Sequence, residues 1–151
     1  MNWYSRITAD LGVLPDFVAY YEQQLETAKQ DVKISGRVEK NVFMMPGLTE
    51  SYFASLQDIE AVLNYLNIKL RALRRKYFQK YLEGYNRALT SRDAEKYVDG
   101  ENEVIDFEIL INEVALIRNR YLGVLKALES KNFMLGHLIK LKAAGLDGYE
   151  L

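Results

Sequence analysis

Ile59, Leu63, Leu66, Leu70, Leu73, Tyr77 and Tyr81 recur at steps of 4, 3, 4, 3, 4 and 4. At about 100° per residue such steps hold an apolar stripe on one side of a helix. They predict a helix from about Thr49 to Ala88. Phe107, Leu110, Val114, Ile117, Tyr121, Val124 and Leu128 form a second stripe, which Leu135 and Leu138 continue in phase and Lys131 interrupts. Gly145 and Gly148 mark its end. Two helices of this length and phase predict an antiparallel hairpin packed at a shallow angle.

The rest of the chain is read around that hairpin. Pro15 followed by Asp16 suits the first turn of a helix, where proline loses no hydrogen bond and a carboxylate meets the positive end of the dipole. That helix is expected to reach about Lys29 and to lie against the hairpin. Residues 1–14 are expected to be a mobile arm. The stretch DVKISGRVEKNVFMMPG reads as an extended piece, a turn at Ser35-Gly36 and about two helical turns that stop before Pro46. Residues 90–105 form an acidic connector, within which Thr90 and Asp93 have capping-box spacing for a short helix ending near Asp99-Gly100. Alternation of the strand kind is weak throughout. The expected fold class is all-α, one helical domain over residues 1–151. Its apolar surface exceeds what one short helix covers, so a homo-oligomer is expected.

Composition narrows the function classes. The chain has no Cys, which removes disulfides, thiolate nucleophiles and cysteine-ligated metals. No secretory leader and no run of about 18 apolar residues is visible, so a cytoplasmic protein without a membrane span is expected. The formal net charge is −1, so any attraction for a polyanion must come from local patterning.

Such a pattern exists. From Lys69 to Arg87 the chain reads KLRALRRKYFQKYLEGYNR, and from Lys69 through Arg92 there are eight basic residues against one acidic. Lys69, Lys76, Lys80 and Arg87 fall within about 40° on one flank of the apolar stripe. Arg71, Arg74 and Arg75 occupy the other flank with Phe78, Leu82 and Tyr85. Cations beside aromatic rings suit a single strand, gripped through its phosphates and by stacking on its bases. The competing reading is the solvated side of a long helix, with Tyr77 and Tyr81 in the core. Ordinary solvated helices mix signs at i,i+4, and this one does not. The acidic run Asp93, Glu95, Asp99, Glu101, Glu103, Asp106 and Glu108 follows at once. It is a solvated loop, a cover over its own basic helix, or a contact for a neighbouring subunit.

Other chemistry is poorly served. His137 is the only histidine, Glu-x-x-His pairs are absent, and there is no GxxxxGK[ST], GxGxxG or GxSxG. No enzyme, metal or cofactor is expected.

Three stretches carry a resemblance to the UvsY-type recombination mediators of T-even-like bacteriophages. QQLETAKQDVKIS, with Asp31, Val32 and Ile34, resembles the family's amphipathic opening. RRKYFQKYLEG, with Tyr81 and Gly84, resembles its basic helix. LKALESKNFMLGHLIKLKAAG, with Lys131, Phe133, Leu135, Ile139 and Gly145, resembles its closing pattern. Together they span residues 23 to 145 in order, although the first fifteen residues have no counterpart and Lys131-Asn132 stands where Arg is commoner. The resemblance implies ring-shaped homo-oligomers, commonly seven-fold, acting in the host cytoplasm. They bind single-stranded DNA and contact a RecA-like recombinase and the single-strand-binding protein. It places DNA contacts at Lys76, with Lys80, Arg74 and Arg75 as neighbours, and subunit contacts at Phe133, Leu135, Leu138 and Ile139. The alternative is a helical adaptor or structural oligomer that binds no nucleic acid.

Overall fold

The structure is a computed structural model that describes residues 2–84 and 89–145. Those residues form five α-helices and no strand: α1 Trp3–Ala9, α2 Leu14–Asp31, α3 Val38–Glu83, α4 Ser91–Asp99 and α5 Asn102–Ala143, with a 3₁₀ turn at Leu11–Val13.

α3 and α5 run antiparallel along nearly their whole lengths. Lys142 pairs with Glu39 at one end, Tyr52 faces Tyr121 in the middle, and Tyr81 meets Glu101 at the other end. Their facing stripes make the core. Leu56, Ile59, Val62, Leu63 and Leu66 from α3 and Val114, Ile117, Tyr121, Leu128 and Leu135 from α5 are almost fully buried. Each such side chain contributes about 1.5–3 kcal/mol by leaving water.

α2 lies alongside α5 and reaches α3 through two polar links. Tyr21 Oη donates to Asp58 at 3.4 Å, and Tyr52 Oη donates to Asp31 at 2.5 Å. Tyr121 Oη in turn donates to the Tyr21 carbonyl at 3.3 Å, so the buried ring keeps its hydroxyl satisfied. Lys131, which breaks the apolar phase of α5, is buried, and its ammonium donates to the Asp31 carbonyl at 2.7 Å. A cation at the last turn of α2 meets the negative end of that helix dipole. Burial holds the Lys131 pKa below the ordinary lysine range. The interruption is therefore a clasp that fixes α2 against α5.

Three expectations are revised. The helix expected to start at Thr49 begins at Val38 and passes through Pro46. Pro46 is exposed, as is Val42, whose carbonyl loses its usual donor, so water can take that carbonyl. The helix expected to run on to Ala88 is helical as far as Glu83, with Gly84 as its cap, and residues 85–88 lie outside the described residues. The arm at the N-terminus is helix α1, capped by Asn2, whose side chain accepts from Ser5 N at 2.8 Å. Ile7 anchors it in the core. The short connector helix forms as its spacing predicts: Thr90 Oγ accepts from Asp93 N at 3.2 Å, and Gly100 ends it. No described helix is long and apolar enough to cross a membrane.

Candidate nucleic-acid interface

Beyond Leu66 no residue of α3 is fully buried. Leu70, Leu73, Tyr77 and Tyr81 continue the stripe but are only half-buried. The two tyrosines are therefore not core rings. Tyr77 donates its hydroxyl to Glu103 and Tyr81 donates to Glu101, which ties the end of α3 to the start of α5. The hydrogen bond to Glu103, followed by partial desolvation, pushes the Tyr77 hydroxyl up to about 12.

The two flanks of the basic helix have different surroundings. On the first, Lys69, Lys76 and Lys80 are exposed. Their ammonium groups lie over tyrosine rings: Lys69 is 5.5 Å from the Tyr65 centroid, Lys76 is 5.4 Å from Tyr77, and Lys80 is 5.5 Å from Tyr77. Such contacts orient an ammonium without neutralising it. Among the described residues none of these three lysines is ion-paired. Arg87, placed on this flank by the helical phase, lies outside the described residues.

The second flank carries α4. Arg74 Nη2 donates to Asp99 at 2.7 Å and Nη1 to Glu108 at 3.4 Å. Arg74, Arg75 and Phe78 line a groove of about 270 Å³ whose other wall is Glu95 and Val98. Tyr97 of α4 stacks on Tyr81 with centroids 5.1 Å apart. Arg71 and Arg75 are exposed and, among the described residues, unpaired. Of the three alternatives for the acidic run, folding back on its own basic helix is the one realised within the chain.

α1 adds a feature the sequence did not assign to the site. Tyr4 packs edge-on to Tyr65 at 6.2 Å, so the lysine flank abuts an aromatic pair at the end away from Tyr81.

At the opposite end of the hairpin the family-derived assembly residues divide. Leu135 is buried inside the chain and Leu138 is half-buried against the core, while Phe133 and Ile139 face outward. Phe133 is 68% exposed and Phe43 of α3 is 84% exposed, with Val42, Met44, Met134 and Leu141 also outward. His137 meets the Phe133 ring edge-on at 4.7 Å. No group of three or more His, Asp or Glu that could hold a metal occurs among the described residues. Comparison of the chain with protein-family models, with curated proteins and with solved structures finds no match in any of the three.

Proposed function

We propose that this protein binds single-stranded DNA along α3. In this reading it serves as a recombination mediator, helping a RecA-like recombinase replace a single-strand-binding protein. One observation carries the DNA-binding reading: Lys69, Lys76 and Lys80 are exposed on one flank, and among the described residues none of them meets a carboxylate. A row of uncompensated ammonium groups beside tyrosine rings suits a phosphate chain with unstacked bases. The mediator role rests on the resemblance in residues 23–145. The outward Phe43 and Phe133 support a homo-oligomer built through the far end of the hairpin. Several basic helices in one assembly turn modest per-subunit affinity into avidity.

Binding is then largely independent of sequence and strongly weakened by salt, because counterion release dominates. Polarisation of a labelled oligo-dT, titrated at two salt concentrations, tests this. Substituting Lys76→Ala and Lys80→Ala together should weaken binding and flatten the log–log salt slope by about 1.4, at about 0.7 per phosphate for a single strand. Light scattering should show the assembly unchanged. Loss of the assembly instead would identify this flank as a subunit contact.

A second reading is favoured by the Arg74 pairs: the basic and acidic segments serve assembly alone, in a helical adaptor that binds no nucleic acid. It requires no oligo-dT binding at any salt, and oligomers that dissociate as salt rises.

A further inference from the structure

We propose that α4 is an intramolecular competitor for nucleic acid. Asp99 and Glu108 hold Arg74 where phosphate oxygens would bind, and α4 walls off a second contact made of Arg74, Arg75 and Phe78. The proposal rests on the single-strand reading above and adds a regulated second track to it.

The geometry has three parts. Arg74 is approached by one oxygen from each of two carboxylates, at 2.7 and 3.4 Å, on separate nitrogens of its fork. Guanidinium forks take phosphate in the same two-pronged way. Phe78, the one described aromatic ring of this flank, lies in the groove between α3 and α4 rather than against the main core. Arg71 and Arg75 flank the pair with exposed, unpaired charge. What Asp99 and Glu108 occupy is thus the middle of a row of cations.

The cover is held weakly. Side chains of Asp99 and Glu108 are 63% and 47% exposed, and exposed pairs of this kind contribute little once salt screens them. α4 spans nine residues and buries only Ala94 and Val98. A helix that short does not persist without its docking surface. A polyanion already on the lysine flank raises the local phosphate concentration beside Arg74. A phosphate that replaces Asp99, the last residue of α4, lowers the cost of moving α4 away, while Glu108 stays with α5. The surroundings of Arg74 favour exchange, since the displaced carboxylates return to water.

The experiment compares oligo-dT binding by the wild-type protein, D99N/E108Q, and D99N/E108Q/R74A, all at two salt concentrations. Freeing Arg74 should tighten binding by D99N/E108Q about five-fold at low salt with the salt slope unchanged, because the wild-type complex also ends with Arg74 on a phosphate. Adding Arg74→Ala should abolish that gain and flatten the slope by about 0.7 relative to the wild type, the increment for one lost phosphate contact. Unchanged binding by D99N/E108Q overturns the proposal. So does a gain that survives Arg74→Ala, which would mean that lost negative charge acted at a distance. Hydrogen exchange on the wild-type chain gives an independent readout. Protection of the Ala94–Val98 amides should fall when oligo-dT is added, and undiminished protection counts against displacement. The lysine variant separates this failure from failure of the broader reading. Oligo-dT binding that depends on Lys76 and Lys80 but not on Asp99 and Glu108 removes only the competitor. Absence of binding by the wild-type chain removes both.

Discussion

Between Tyr52 and Leu66, α3 faces α5 in a region that α1 and α2 also cover, and Leu56, Ile59, Val62, Leu63 and Leu66 are almost wholly buried. Between Leu70 and Tyr81 the same apolar phase continues, yet every member of the stripe is only half-buried, facing α4 and the start of α5. One helix thus passes from a close-packed interior into a thinner, charged end. The contrast shows that a continuous heptad stripe does not guarantee continuous burial, because burial depends on how many neighbours reach the stripe. Where α1 and α2 stop, Tyr replaces Leu in the stripe and hydrogen bonds to glutamates replace apolar contact. The first region is thus almost fully buried and the second only partly so.

The largest effect should follow from truncating the interior. Leu66→Ala and Ile117→Ala should each lower unfolding free energy by about 2–5 kcal/mol, through lost transfer energy and the cavity left behind. Leu73→Ala, at the charged end, should cost about 1 kcal/mol, because part of its side chain already meets water. Urea unfolding of the three variants decides the matter. Equal costs would erase the distinction between the two regions.

The clasp at Lys131 comes next. Lys131→Ala removes the donor to the Asp31 carbonyl and should cost about 1–3 kcal/mol. Lys131→Met keeps most of the volume and avoids burying an ammonium, so its cost should be clearly smaller, even near zero. If Met is as damaging as Ala, the bond matters more than the filled space. Smaller again is the cap of α4. Thr90→Ala should cost about 1 kcal/mol, read as faster hydrogen exchange within Ala94–Val98 and unchanged exchange near Ile59. Faster exchange spread over the interior as well would mean that α4 folds as part of the main core.

Much of this division was legible in the residues. The 3-4 spacing in α3 and α5 gives both long helices, and Thr90 with Asp93 gives α4. Pro46 does not end the helix, because proline's usual cost falls on a buried carbonyl and here the affected turn is exposed. α1 is seven residues long, too short for periodicity to register, although Asn2 and Asp10 are both capping residues. The lysine flank followed from helical phase alone. Pairing of Arg74 with Asp99 and Glu108 did not, because it joins residues 25 and 34 positions apart. Only the fold of the connector sets that distance. For the same reason Tyr77 and Tyr81 looked like core: their phase is that of the stripe, and what they lack is a neighbour above them.

Tyrosine ionisation offers the finest test of the two regions. Burial, then the nearby Asp58, raises the Tyr21 pKa; burial and the bond to Asp31 raise that of Tyr52; and burial raises that of Tyr121. Tyr77 is raised chiefly by its bond to Glu103, to about 12. In each case the folded chain holds the proton more tightly than the unfolded chain, whose tyrosines titrate near about 10. The associated stability is therefore complete below about pH 10 and is lost as pH rises through the folded-state values. These four should ionise above the ordinary tyrosine range when tyrosinate absorbance and helical circular dichroism are followed together. Tyr77 should respond first among them and without loss of helix, since its proton is held by one carboxylate at the thin end. The other three should ionise only as the helical signal collapses, because their hydroxyls are held between α2 and the α3–α5 hairpin. Tyr77→Phe should delete the intermediate step alone. A single step for all four would place Tyr77 within the same cooperative unit as Tyr121, and the charged end would then be no looser than the interior.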